Sequence, residues 1–183
     1  MAGGTGFGNY TRYSVTGGGT YLAINSPNQT IDGAKSLGAW AGSGSGVSFR
    51  RQISTAQQFG TMVISARFNL DNTKGFCGFN LKSAAGSGSS GFGAGELVSF
   101  GTSPKAGNHA FLVTDASGQR TLDMGAPVTN TIIDFQVDFD ALNRRYVVGA
   151  KFRTNSIFNK ISGTMNGAGT SVTHIGFANW NTG

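Results

Sequence analysis

Glu96 is the only glutamate in the 183 residues, and its isolation narrows the chemistry available. Glycoside hydrolysis by its common route needs two carboxylates flanking the scissile bond, about 5 to 9.5 Å apart. The aspartates offer one pair, Asp138 and Asp140, two residues apart on one strand face. Basic cross-strand neighbours already give that face a structural reason to be charged. A nucleophilic serine on a strand-to-helix elbow needs glycine two residues before and two after it, and no serine has both. A dispersed triad would have to use His109 or His174, to which no motif points. The stretch 86–91 (GSGSSG) spells a phosphate-loop pattern, but that mechanism needs a strand before it and a helix after it, and no helix follows. Cys77 stands alone, so it forms no internal disulfide and no zinc spacing. It alternates with Phe79 and Leu81 and reads as a small buried hydrophobe.

Calcium binding takes six or more oxygen ligands. Asp138, Asp140 and Asn143 around one turn, or Asp71 with Asn72 at another, supply some of them. Turn chemistry favours Asp and Asn at the same places for its own reasons. The expectation is therefore no catalytic residue and no required cofactor, with calcium as the open alternative.

Sugar recognition asks for a different set: an exposed aromatic ring against the pyranose face, and amides, carboxylates or guanidinium groups for the hydroxyls. Trp40 is out of phase with Leu37, Ala39 and Ala41, so it faces outward if those three are core. Trp180 lies between Asn179 and Asn181, a polar setting for an indole, and Tyr10, Tyr13 and Tyr21 add amphipathic rings. The competing reading is that both tryptophans are core or cap the sandwich edge, since large aromatics are mostly buried.

These residues must be held by strands. Thirty glycines and only 12% charged residues compare with about 25% charged in typical domains. Glycine at this level disfavours helices and suits tight turns. The 38% apolar content, with 14 Phe, supports a packed core, and the length suits one sandwich spanning 1–183. The net charge of +6 and pI of 9.8 come from scarce acids. The bases are scattered, without the aromatic-interleaved basic tracts that nucleic-acid binders use. No apolar run approaches the roughly 20 residues of a membrane helix, and the N-terminus has neither charged nor apolar leader character.

The dominant period is two, punctuated by Gly, Asn, Asp and Ser. Residues 61–70, the turn at 71–75 and 75–82 read as a hairpin, as do 111–114, 115–118 and 119–124. In the clearest pair, Ile133, Phe135, Val137 and Phe139 point one way and Asp134, Gln136, Asp138 and Asp140 the other. A four-residue loop at 141–144 then sets Asp140 against Arg145, Phe139 against Tyr146, Val137 against Val148, Asp134 against Lys151 and Ile133 against Phe152. A one-residue slip would place Asp against Phe throughout. The best helix signal is a turn or two at 54–59, capped by Ser54 or Thr55. Residues 83–95 form a Gly/Ser-rich loop.

Taken together, GFGNY at 6–10, SLGAWA at 36–41, FRRQ at 49–52, FNLDN at 68–72, GFNL at 78–81 and IGFANWNTG at 175–183 resemble the concanavalin A/laminin-G-like sandwich domains of bacterial exported and surface proteins. The resemblance implies an all-β fold of two packed antiparallel sheets, a jelly roll of the concanavalin A-like lectin type. It also implies a glycan-binding or architectural module, with a polysaccharide or surface glycan as partner, outside the cell or on its surface. In such domains a further strand usually follows the Asn-rich segment, so the sequence predicts a strand missing beyond 183 or supplied by a partner. The favoured function is a non-catalytic carbohydrate-binding module, with no nucleic-acid partner and no membrane insertion. A structural subunit self-associating through sheet edges is the second reading, and an atypical polysaccharide-active enzyme the third.

Overall fold

The computed structural model describes residues 7–17, 20–24, 31, 36–40, 44–68, 76–84, 95–105, 108–124 and 131–181, with strand side chains over 45–67, 76–82, 96–102, 110–123 and 131–179. These residues form thirteen strands and, among them, no helix. In chain order they are β1 (Phe7–Thr16), β2 (Thr20–Ile24), β3 (Ser36–Trp40), β4 (Ser45–Gln57), β5 (Phe59–Phe68), β6 (Phe76–Lys82) and β7 (Glu96–Lys105). Then follow β8 (Asn108–Asp115), β9 (Gly118–Asp123), β10 (Thr131–Asp140), β11 (Arg145–Phe152), β12 (Asn159–Thr164) and β13 (Val172–Asn181). Seven of them make one sheet in the order β1-β4-β13-β6-β7-β8-β9, four make a second in the order β12-β11-β10-β5, and β2 pairs with β3. Every pairing is antiparallel. The fold is all-β, two antiparallel sheets packed as a jelly-roll sandwich.

The core lies where one face of each sheet meets the other. Cys77, Leu81, Val98, Phe100, Phe111 and Val113 from the larger sheet join Ile133, Phe135, Val137, Phe139, Tyr146 and Val148 from the smaller. Phe135 is fully buried, and its ring sits 5.9, 5.7 and 6.3 Å from those of Phe79, Phe100 and Phe111 across the gap. Edge-on and tilted contacts at these separations add to the area term.

The β10–β11 register is the one the sequence predicts, pair for pair from Ile133↔Phe152 to Asp140↔Arg145. Asp140 also organises the turn: it accepts from Asn143 N–H at 3.0 Å and Asn143 Nδ2 at 2.7 Å, while Arg144 takes a left-handed φ of 56°. Asp134 lies opposite Lys151, but Arg153 grips it, Nη2 to Oδ1 at 2.9 Å. Burial pushes the Asp134 carboxyl up, and the hydrogen bonds of Arg153 and Ser65 with the charges of Arg153 and Lys151 outweigh that and hold it below the usual range. The β8–β9 hairpin also forms as expected, closing through Ala116-Ser117 to Gly118 at φ 96°.

Two expectations fail. Residues 54–59 are not helical: β4 runs through Gln57 and β5 starts at Phe59, so this corner carries the chain from one sheet to the other. One or two turns return too few hydrogen bonds to offset helix nucleation, and strand pairing of Gln57 with Val172 prevails. Nor do 61–70 and 75–82 form a hairpin. β5 pairs with β10, whereas β6 lies between β13 and β7 in the opposite sheet. Alternation marks which face of a strand is buried and does not name its partner, and both segments bury their apolar rows across the gap. The loop connecting them, 69–75, lies outside the described residues, as does the GSGSSG stretch.

A buried polar latch joins the sheets. Asp115 Oδ2 accepts from Arg120 Nη2 at 2.5 Å and from the Tyr146 hydroxyl at 2.6 Å. Arg120 Nη1 reaches the Ser162 carbonyl at 2.8 Å. Gly163 makes room, since a Cβ there would collide with Asp115 and Arg120. Burial and the Asp115 carboxylate together raise the Tyr146 hydroxyl well above its ordinary range, so it stays a donor.

Candidate functional site

Cross-strand register sets side chains of the larger sheet in rows on the face turned away from the core. One row runs Gln52 (β4), His174 (β13), Lys82 (β6), Glu96 (β7). The next runs Arg50, Gly176, Asn80, Ser99, Thr114. A β-bulge lies between Leu81 and Lys82 where β6 meets β7. It turns the one extra residue, Leu97, into the core while Glu96 stays in the outer row opposite Lys82.

The rows are dense. Lys82 is 2% exposed and Asn80 fully buried, while Gln52 is exposed and Arg50, Glu96 and His174 are half-buried. Gly176 lets the Asn80 amide lie across β13, because a Cβ there would strike it. Ser99 Oγ donates to Glu96 Oε1. Burial raises the Glu96 carboxyl to about 7, with Ser99 and Lys82 opposing the rise. Burial also lowers the Lys82 ammonium, Glu96 opposing and Arg50 adding to the effect. His174 is lowered by burial first and by Arg50 and Lys82 next, so its imidazole is neutral at pH 7. Its Nδ1 lies 2.9 Å from Thr173 Oγ1.

Toward solvent the patch offers the exposed Gln52 amide and the half-buried Arg50 guanidinium, His174 imidazole and Glu96 carboxyl, the last poised near neutrality, while Asn80, Lys82 and Ser99 lie buried among them. It donates and accepts in many directions. A second carboxylate for acid–base hydrolysis is not among its described residues. Sequence reasoning missed the site, although Phe49-Arg50-Arg51-Gln52 and Asn80-Leu81-Lys82 carry a legible signal: polar residues two apart inside strands whose intervening residues are apolar or core-facing.

Trp40 ends β3, opposite Thr20, and Trp180 lies in β13, opposite Gly46 and Phe76, so the two belong to different sheets. The side chains of Trp40, Trp180, Asn181, Tyr10 and Tyr13 lie outside the described ones, and Asn179 is half-buried. Asp138 accepts from Thr61 Oγ1 at 2.7 Å and Gln136 Nε2 at 3.0 Å, Asp140 and Asn143 bond each other, and no group of three or more His, Cys, Asp and Glu converges among the described residues. Cys77 is buried as expected, and burial pushes its thiol up. The Asn-rich segment near 179 belongs to β13, an interior strand paired on both sides.

No protein-family model matches the sequence, and no curated protein matches it. Among solved structures, the globular domain of T. cruzi calreticulin superposes with a TM-score of 0.58 at 11% identity, over 94% of this chain and 78% of that one. Lectin II from Ulex europaeus gives 0.47 at 11% identity over 88% and 82% of the two chains, and peanut lectin with a 9mer peptide 0.46 at 11% over 94% and 98%. At these identities the likeness concerns the fold, which is the concanavalin A-like jelly roll.

Proposed function

We propose that this chain is a non-catalytic carbohydrate-binding module of an extracellular or cell-surface protein, one domain over 1–183, and that it grips glycans on the outer face of the larger sheet. The observation that carries the reading is the set of reachable polar groups, Gln52, Arg50, His174 and Glu96, brought together from three strands around the buried Lys82, Asn80 and Ser99. Sugar hydroxyls both donate and accept, and a mixed set of amide, imidazole, carboxyl and guanidinium groups on rigid strands meets them at low reorganisation cost. A lone carboxyl suits binding better than hydrolysis, which wants two. Trp40, Trp180, Tyr10 and Tyr13 remain the proposed stacking rings, with Asn179 and Asn181 beside them. No metal is needed for this grip.

Pull-down on insoluble polysaccharides, followed by a glycan array, tests the proposal. The wild-type protein is expected to be retained. Gln52→Ala and Arg50→Ala are each expected to weaken binding about five- to tenfold, the worth of one hydrogen bond of about 1 to 1.4 kcal/mol. Folded wild-type protein that no glycan retains would overturn the reading.

A further inference from the structure

The two sheets end in four edge strands, β1, β9, β12 and β5. An exposed edge invites another strand, and proteins blunt it with bulges, charges, short length or cover. Three of the four are blunted. β1 has two register shifts along its pairing with β4. β9 has six residues and carries Arg120 and Asp123. β12 also has six, includes Lys160, and its outer edge is capped where Arg120 Nη1 takes the Ser162 carbonyl and Ala116 N–H takes that of Thr164.

β5 differs over most of its length, with Arg67 near its end as its one charge. It pairs with β10 over ten consecutive residues without a shift. From Phe59 through Ala66 it holds no charge and no proline. Its outer row leaves Phe59 71% and Val63 66% exposed, and among the described residues no strand pairs with its outer edge.

We propose that two copies of this chain associate through β5, antiparallel about a two-fold axis at Val63, fusing their four-stranded sheets into one of eight strands. Directly opposed residues in an antiparallel pair share a face, so the register must keep outer row against outer row. Centred on Val63, it sets Val63 against Val63, Thr61 against Ser65 and Phe59 against Arg67. On the inner side Met62 meets Ile64, and Gly60 meets Ala66. Each contact is like with like, or a cation beside a ring. Centring on Met62 would oppose Thr61 to Val63, and centring on Ile64 would oppose Val63 to Ser65. Both waste the apolar contact. Met62 and Ile64 are only half-buried in one copy, and the second copy completes their cover.

Sedimentation velocity from about 1 to 200 μM, the range in which such interfaces resolve, tests this with the intact chain. Wild-type protein is expected to be dimeric. Val63→Lys, a solvent-facing change, is expected to weaken association at least about tenfold with far-UV dichroism and melting temperature retained. A second measurement uses Val63→Cys with a short bis-maleimide. Cys77 is buried, so the new thiol is the reactive one, and cross-linking to dimer is expected, whereas Thr121→Cys on β9 is expected to give no cross-linked dimer. A wild-type protein that remains monomeric at the highest concentration, or a dimer indifferent to Val63→Lys, overturns the proposal. Neither result bears on glycan binding.

Discussion

Glu96 shows what one position gains from its surroundings. Burial among β6, β7 and β13 lifts its carboxyl from 4.5 to about 7, so the folded chain holds a proton there that the unfolded chain releases. A group whose folded value is raised contributes stability fully below its unfolded value and loses it as pH rises through the folded one. Between pH 4.5 and 7 the wild-type protein is therefore expected to lose up to about 3 kcal/mol that Glu96→Gln does not lose. Urea unfolding of both proteins at pH 5 and pH 8 measures it, and parallel pH profiles would show that Glu96 is solvated. That Glu96 is the sole glutamate was legible in the sequence. Lys82 and His174 beside it were not, because they come from two other strands whose adjacency no local pattern states.

At the level of the element, β6 and β7 approach each other closely through Gly78 and Gly101, directly paired. A Cβ on Gly78 would run into the Phe100 carbonyl, the Gly101 Cα and the Phe76 ring. Two of these are backbone and cannot turn aside. Gly78→Ala is expected to cost about 3 kcal/mol, toward the upper end for overpacking, measured as a lower urea midpoint at unchanged slope. Among the elements, β10 and β11 were the most legible, because a strict apolar–polar alternation and a short loop admit one register. The hairpin assigned to 61–82 was misread for the complementary reason. Its two strands have equally good alternation, yet the larger gain comes from facing each other across the core, where β6 carries Phe79 to within 5.9 Å of Phe135 on the partner of β5.

Over the whole molecule, the chain closes on itself late. β13 inserts between β4 and β6, so the larger sheet is split in two until the last strand arrives. A chain ending at residue 171 is expected to lack cooperative thermal unfolding and near-ultraviolet dichroism, which calorimetry and dichroism would show. A cooperative transition in that fragment would mean that the remaining strands close without it. Long-range pairing of this kind also predicts folding in milliseconds to seconds, slower than helical proteins of similar size.

Composition and alternation determined the fold class, the buried faces and the best-specified pair of strands, because burial of one row per strand is a local property repeated along the chain. Only the tertiary structure decided which strands are neighbours. That choice assembles Arg50, Lys82, Glu96 and His174 on one face, engages Asp138 and Asp140 in ordinary hydrogen bonds, and leaves β5 open at the edge of the smaller sheet. Adjacency is fixed by the global competition for cover, and a single strand's sequence carries only its own side of that contest.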